Sequence, residues 1–521
     1  MILKSPFPDV EIPIVPLHEY VFQNIDKWPT KSAMIDGPTG RALTFTELRD
    51  KVNAVAAGLA ERGFNKGDVF AIFSPNVPEY AIAFLGVSRA GGINTTMNPL
   101  YTADEAQNQL KDSGAKFLVT IPQFLDKAKQ AIAGTSVEEI FVFGEATDAT
   151  PFVSLMKESE PPEVQIDAQT DLVALPYSSG TTGLPKGVML THYNLVSNLT
   201  QITAVEKIKE SDTLIGILPF YHIYGMVVIM NAALFSGATI VTMPRFDLEQ
   251  FLTLLQKHSV TVGYLVPPIV LALAKHPLVE QFDISTLKNI MSGAAPLPES
   301  VARDAAARNK MIVRQGYGLT ETSPVTHTNP PTGTIKITSV GPALPNTEWR
   351  IIDVATGKDA ALGDLGEVWV RGPQVMKGYL NNPEATEHMI DDDGWLHTGD
   401  IGKADEDAYL YVVDRLKELI KYKGLQVAPA EVEAAVQSHP AVADAAVIPS
   451  PDEEAGEIPK AFVVLRDGAH ATEADIIAHV ASQLAPHKKV RKVEFIDTIP
   501  KVPSGKILRR QLVERERASQ K

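Results

Sequence analysis

Apolar and polar positions along this chain switch repeatedly between two periods. Leu48, Val52, Val55 and Leu59 recur at helical spacing. Thr44 and Glu47 form a capping-box pair before them and Gly63 suits a stop after them, so a helix is predicted from about residue 46. Residues 69–73 form a short continuous apolar run, which reads as a buried strand, and 78–90 read as the helix after it. Further strands are predicted at 172–177, 214–218, 239–243 and 288–291, and a helix at 247–258 with Asp247 as its N-cap. This alternation predicts an α/β architecture.

Beyond about Gly333 the texture changes to short strands separated by Gly and Asp turns, as at 365–371 and 409–413, which predicts a β-rich subdomain. From Arg415 a small α+β unit is expected. It has helices at 430–437 and 473–484, strands at 442–448, 461–465 and 493–496, and a basic helix from about Lys506. The chain's 521 residues exceed what one core holds, since cores stop growing at about 250–300 residues. The expected division is a large N-terminal domain over 1–414 and a C-terminal domain over 415–521. No repeat or low-complexity segment interrupts the pattern.

Composition changes this picture little. Hydrophobic residues at 45% and charged residues at 21% are ordinary for a soluble globular protein. The formal charge of −15 is uneven. Residues 415–521 carry 17 Lys and Arg against 15 Asp and Glu, leaving −17 on the rest. An acidic body argues against non-specific nucleic-acid binding; a slightly basic C-terminal piece could carry cations to an anionic ligand, but on composition alone its 17 positive residues read as a solvated surface. With no cysteine, disulfides, thiolate metal sites and a cysteine nucleophile are excluded. The N-terminus has prolines and acids where a secretory signal needs an apolar run. The apolar stretches 226–235 and 265–274 are too short to span a bilayer, so no transmembrane segment and a cytoplasmic location are expected.

The chemistry concentrates first in Ser178-Ser179-Gly180-Thr181-Thr182-Gly183-Leu184-Pro185-Lys186-Gly187, directly after an apolar strand. Its glycines let backbone N–H groups approach an anion, its hydroxyls add donors, and Lys186 adds a positive charge, a combination that suits a triphosphate. It is not a Walker A loop, because Pro185 and Gly187 stand where that motif needs Gly and Ser/Thr. The bland alternative is a Ser/Gly surface linker, which would rarely follow a buried strand or end in Pro-Lys-Gly.

This string resembles the phosphate loop of the adenylate-forming superfamily: acyl- and aryl-CoA ligases, firefly luciferase and amino-acid-activating domains. The resemblance continues, in the family's order, through LPFYHIY at 218–224, QGYGLTE at 315–321, GWLHTGD at 394–400, DRLKELIKYKG at 414–424 and PSGK at 503–506. It implies a large N-terminal domain of two α/β sheet subdomains plus a β-rich subdomain, with a small mobile α+β C-terminal domain. It also implies a two-step reaction. A carboxylate attacks the α-phosphorus of ATP to give an acyl-adenylate and pyrophosphate, and the thiol of coenzyme A then displaces AMP. Two anions must meet in the first step, so positioning and positive charge carry it.

Residue by residue, the resemblance implies that Lys506 bridges the carboxylate and the α-phosphate and that His222 orients the carboxylate. Ser178, Ser179, Gly180, Thr181, Thr182, Gly183 and Lys186 would hold the phosphates. Gln315, Gly316, Tyr317 and Thr320 would frame the adenine. Asp400 and Arg415 would hold the ribose, Asp400 being expected in a loop between polar turns. Glu321, shared with Thr181 or Thr182, is the expected Mg²⁺ ligand, in keeping with that ion's preference for few carboxylates plus phosphates and water. Lys417 would be the hinge-side residue and Lys421 an AMP contact. Lys423, Gly424 and Gln426 would form the thiol-side face, and Arg245 would meet a phosphate of coenzyme A. Taken singly, His222 reads as a satisfied core histidine, Asp400 as a turn cap and the lysines as a solvated charge run; the motif context favours the functional reading.

The acid is read from the pocket. Residues 220–228 (FYHIYGMVV) contain no acid to meet a substrate ammonium, which disfavours amino acids. The resemblance is strongest to 4-coumarate–CoA ligases and similar aryl-CoA ligases. It carries over Tyr224, Val228, Met291, Ala294, Gly316, Gly318, Pro324 and Val325 as an apolar slot for a flat aromatic acid, with the Tyr224 phenol placed to meet a para-hydroxyl. Gly316 and Gly318 are expected to leave bare backbone for the ligand. Two positions depart from the plant pattern: Leu319 replaces a common Met, and GEVWVRG at 366–372 lacks a cysteine. A medium- or long-chain fatty acyl-CoA ligase is the runner-up, and a non-catalytic nucleotide-binding protein is disfavoured because Lys506, Glu321, Lys186 and Asp400 are all present.

Overall fold

The computed structural model describes residues 1–178, 185–422, 425–452, 455–502 and 505–519. Among them, four sheets order the chain. The first has a parallel core in which Val69–Phe73 lies between Ile93–Thr96 and Phe117–Thr120, with Glu139–Val142 beyond. The second is parallel through Ile312–Gly318, Asn289–Ser292, Val262–Leu265, Thr213–Gly216, Thr239–Thr242 and Ser32–Asp36. Antiparallel strands Val325–Thr328 and Ala42–Thr44 finish its two edges. Both central sheets read as near-continuous apolar runs because helices cover their faces. One shared core of buried side chains packs between them, including Phe84, Leu199, Phe220 and Tyr264.

The helices start where the sequence says they must. Thr44 accepts from the Glu47 N–H at 3.2 Å, and the Glu47 carboxylate accepts from the Thr44 N–H at 2.8 Å, at the head of Phe45–Glu61. Asp247 accepts from the Gln250 N–H at 2.8 Å at the head of Leu248–Lys257. Such caps satisfy N–H groups that have no partner inside the helix, and each contributes about 1 kcal/mol.

The β-rich part is an antiparallel sheet of Leu3–Lys4, Glu348–Ile352, Gly366–Arg371, Leu396–Ala404 and Leu410–Arg415, packed around the buried Trp349. After Arg415 the chain builds a separate small sheet, with Gly456–Leu465 at its centre, Val442–Asp452 antiparallel to it at one edge, and Ile420–Tyr422 (antiparallel) and Lys492–Phe495 (parallel) also paired with it. Helices Pro429–Gln437, Glu473–Gln483 and Arg509–Ser519 cover it.

Two expectations need correction. The strand expected over 172–177 breaks into Leu172–Ala174 and Tyr177–Ser178, separated by Leu175 and Pro176, and proline has no N–H to continue a ladder. Tyr177 pairs with Gly187 and Ser178 with Lys186, so the second piece runs antiparallel to the strand Lys186–Thr191. Secondly, the basic helix begins at Arg509. Lys506 instead lies on a turn closed by Val502 N–H to Lys506 C=O (3.0 Å) and Leu508 N–H to Pro500 C=O (2.8 Å). Tyr224–Asn231, for which no element was expected, is a π-helix, an uncommon form that is frequent at functional sites.

Candidate active site

A cavity of about 850 Å³ opens between the two central sheets, the β-rich sheet and the turn bearing Lys506. That volume lies in the range of small-molecule sites. Its lining is divided. One end holds Lys186, Glu321, Arg415, His222 and Lys506, and the other holds Val228, Met291, Ala294, Pro324 and Val325.

Lys506 is half-buried, and burial followed by the neighbouring Arg415 charge lowers its pKa from the ordinary lysine value, while Glu418 and Asp400 oppose the shift. His222 lines the same cavity, just ahead of the π-helix. Its Nδ1 accepts from the Tyr224 N–H at 3.3 Å. Burial first, then the Lys506 charge, lowers its pKa to about 4. The imidazole is therefore neutral near pH 7 and, with Nδ1 occupied as an acceptor, carries its proton on Nε2. It can donate to a carboxylate beside Lys506.

Glu321 lies in the short helix Thr320–Thr322 and is buried. Its Oε1 accepts from the Ser178 hydroxyl (2.9 Å) and the Tyr379 hydroxyl (2.8 Å). Both described donors meet the same oxygen, so Oε2 is the one offered to a hard cation. One carboxylate oxygen beside a phosphate-binding segment fits Mg²⁺, which keeps water and phosphate as its other ligands. Among the described residues no cluster of three His, Asp or Glu forms a self-sufficient metal cage. Lys186 Nζ sits 5.1 Å over the Tyr379 ring, which holds it at the cavity wall.

Asp400 is not in a loop. It lies in the strand Leu396–Ala404, opposite Arg415 in the next strand, and is buried because the sheet covers both its flanks. Its Oδ2 accepts from the Tyr317 hydroxyl at 2.6 Å, and its Oδ1 faces Arg415 Nε at 3.1 Å. Burial raises its pKa, against the opposing Arg415 charge and the Tyr317 hydrogen bond. Asp400 itself does not line the cavity; its partners Tyr317 and Arg415 and its neighbour Gly399 do.

The slot residues Tyr224, Val228, Met291, Ala294, Gly316, Gly318, Pro324 and Val325 all line this one cavity. The two glycines line the cavity and are also tight against protein. A Cβ at Gly318 would lie 1.9 Å from the Pro324 carbonyl oxygen, and one at Gly316 would lie 3.1 Å from Met291 Sδ. Their missing side chains thus make room for neighbouring protein as well as leaving backbone toward the cavity.

Several expected residues are elsewhere. Gln315 is buried off the cavity, its amide donating to Ile337 C=O (2.8 Å) and accepting from Leu297 N–H (3.0 Å). Arg245 is exposed and does not line the cavity, and Lys421 is exposed on the strand Ile420–Tyr422. Ser179, Gly180, Thr181, Thr182, Gly183, Lys423 and Gly424 lie outside the described residues, as do the side chains of Lys417 and Gln426.

Sequence reasoning missed Glu206, Tyr264 and Thr328 at the apolar end, and Tyr379 beside Glu321. Arg314, fully buried behind Glu206, was the available signal: an arginine inside an apolar strand needs a buried partner.

Comparison with known proteins settles the family. The AMP-binding enzyme family matches residues 21–380, and the AMP-binding enzyme C-terminal domain matches 431–506. The chain belongs to the AMP-binding enzymes. Among curated AMP-binding relatives, 4-coumarate–CoA ligase 2 of Petroselinum crispum is 46% identical, over 98% of this chain and 96% of its own. 4-Coumarate–CoA ligase 5 of Oryza sativa subsp. japonica is 45% identical over the same shares. Among solved AMP-binding structures, ATP-bound MatB from Rhodopseudomonas palustris aligns with a TM-score of 0.89 and 33% identity, covering 98% of this chain and 100% of that one. The anthranilate CoA ligase AuaEII with anthranoyl-AMP aligns with a TM-score of 0.89 and 26% identity, covering 98% of each. As an AMP-binding enzyme, the protein is an ATP-dependent, adenylate-forming ligase, and its α/β body with a separate C-terminal unit is that family's fold.

Proposed function

We propose that this enzyme joins a hydroxycinnamate, 4-coumarate or a related aryl acid, to coenzyme A through an acyl-adenylate. It is an acid–thiol ligase with ATP, Mg²⁺ and coenzyme A as its co-reactants. The observation that carries the reading is the divided cavity: a cationic end with Lys506 and neutral His222 facing an apolar slot, in a chain whose relatives are named 4-coumarate–CoA ligases.

In the first half-reaction the His222 Nε2–H and the Lys506 ammonium hold the substrate carboxylate, and Lys506 also offsets charge gathering on the α-phosphate. Lys186 and the hydroxyl-rich segment after Ser178 hold the outer phosphates. Asp400 and Arg415 receive the ribose, with Tyr317 in front of them. Bound at Glu321, Mg²⁺ supplies charge neutralisation to the phosphates.

In the second half-reaction the C-terminal domain, 415–521, turns about Lys417 on the body formed by 1–414. Lys506 is withdrawn, and Lys421 arrives with Lys423, Gly424 and Gln426 on the thiol side; Arg245 meets a phosphate of coenzyme A. Lys506 lines the cavity while Lys421 lies off it, which supports assigning Lys506 to the first half-reaction. Among the described residues no helix is long and apolar enough to cross a membrane, and we place the enzyme in the cytoplasm.

Incubation with ATP, Mg²⁺, coenzyme A and a panel of acids tests the assignment. The expected outcome is the highest kcat/KM on 4-coumarate or a near relative. Preference for octanoate would overturn the aryl assignment while leaving the ligase intact.

A further inference from the structure

The apolar slot does not end in apolar residues. Glu206, the last residue of the helix His192–Glu206 before Lys207 turns left-handed (φ 52°), lines the cavity beside Tyr264 and Thr328, whose hydroxyls bond its carboxylate. Behind it, Arg314 on the strand Ile312–Gly318 makes a two-pronged ion pair: Nη1 to Oε1 at 2.8 Å and Nη2 to Oε2 at 2.6 Å. Arg314 is completely buried and is further held by Asn289 Oδ1 (2.9 Å) and Asn329 C=O (2.8 Å).

The two carboxylate oxygens are not equivalent. Oε1 takes a second, short bond from the Thr328 hydroxyl at 2.9 Å, whereas the second donor to Oε2, the Tyr264 hydroxyl, stands off at 3.3 Å. Oε2 therefore retains capacity to accept. Tyr224 adds to the same polarity. Its hydroxyl proton is used on Met291 C=O at 3.2 Å, so toward the cavity it presents only lone pairs. The end of the slot is a pair of acceptors with no free donor among the described residues facing them.

Such a wall sorts acids by what they carry at the end remote from the carboxylate. A hydroxyl donates to an anionic acceptor and makes a charge-assisted bond. A methyl terminus strips water from a buried ion pair and returns nothing, and a methoxy oxygen meets acceptors with an acceptor. A site built around buried polar groups rejects an analogue that lacks the matching hydroxyl more strongly than an apolar slot rejects a change of one methylene.

We propose that the Glu206–Arg314 pair is the specificity element of the acyl pocket, with Glu206 receiving the para-hydroxyl of the substrate and Arg314 holding the carboxylate in place. This rests on the reading of the cavity as an acid–CoA ligase site. It assigns selection against cinnamate, 4-methoxycinnamate and fatty acids to one carboxylate.

The test compares kcat/KM for 4-coumarate, cinnamate and 4-methoxycinnamate in the wild type, in Glu206→Gln and in a Glu206→Leu/Arg314→Met double variant, which replaces the pair without leaving an unpaired charge. The expected wild-type preference for 4-coumarate over cinnamate is about tenfold or more, the scale of a charge-assisted hydrogen bond. It should fall to within about threefold in Glu206→Gln and reverse in the double variant. The ratio is insensitive to loss of active protein, which lowers both substrates alike. Should neither variant fold, binding of the non-reactive 4-coumaroyl and cinnamoyl sulfamoyl-adenosines to the wild type decides: a tenfold gap supports the assignment and equal affinities overturn it. A wild type that prefers 4-coumarate while Glu206→Gln keeps its ratio overturns the assignment alone. A wild type that ignores all three aryl acids overturns the hydroxycinnamate reading as well.

Discussion

Tyr317 donates its hydroxyl proton to Asp400 at 2.6 Å across the join between the second central sheet and the β-rich sheet. The acid expected to receive a sugar is thus held in place, by Tyr317 on one oxygen and Arg415 on the other, before any sugar arrives. Replacing Asp400 with Asn keeps the shape and removes the charge. KM for ATP should rise roughly 10- to 100-fold, the equivalent of the ~1.5–3 kcal/mol of a hydrogen bond to a charged group. Steady-state kinetics with varied ATP measure this, and an unchanged KM would remove Asp400 from the nucleotide site.

Lys506 should matter for one half-reaction only. In Lys506→Ala, pyrophosphate exchange from the free acid should fall by at least about 10³-fold, the scale of losing a preorganised charge at the reacting centre. Thiolysis of supplied acyl-adenylate should stay within a few-fold of wild type. Parallel loss of both steps would count against a C-terminal domain that works in two positions.

Glu321→Gln should raise the Mg²⁺ concentration for half-maximal activity at least tenfold while leaving the acid's KM nearly constant. The amide keeps its contacts with Ser178 and Tyr379 but weakens the hold on a hard cation. A Mg²⁺ titration of initial rates checks it, and an unshifted curve would place the ion elsewhere.

Stability should decline with acid in a window fixed by buried histidines. Burial lowers His192 and His222 to about 4 and His18 and His327 to about 3, each from an ordinary 6.5. The folded state therefore binds fewer protons than the unfolded one below pH 6.5. Stability is complete above that value and is lost as pH falls toward 4 and then 3. Tm should drop continuously from pH 7 to pH 4.5; a flat profile would mean that these imidazoles are accessible to solvent.

Gly318→Ala should disturb packing before it disturbs chemistry. The new methyl would meet the Pro324 carbonyl at 1.9 Å, so the strand and the turn facing it must part. Overpacking of this kind costs about 1–3 kcal/mol, read as a lowered urea midpoint. Alanine at Gly114, where nothing lies within 4 Å but φ is +64°, should cost less.

Much of this was readable from the residue string, because each motif is contiguous and its chemistry is local. The caps at Thr44 and Asp247 and the helix periods follow from neighbours in sequence. What escaped depends on partners far away along the chain. Glu206 and Arg314 are 108 positions apart, and neither belongs to a recognisable string. Asp400 reads as a turn residue because Gly399 precedes it, yet pairing with Arg415 draws it into a strand. Nothing in the motif of Gly318 reveals that Pro324 folds back against it.

The turn carrying Lys506 rests on the helix Pro267–Lys275 so closely that a Cβ at Gly505 would lie 2.9 Å from Pro268 Cδ. A chain without a single sulfhydryl is silent to maleimide dyes. Two engineered thiols, one on each side of that seam, would turn the approach and retreat of the C-terminal unit into an optical distance signal, recorded turnover by turnover against a dark background.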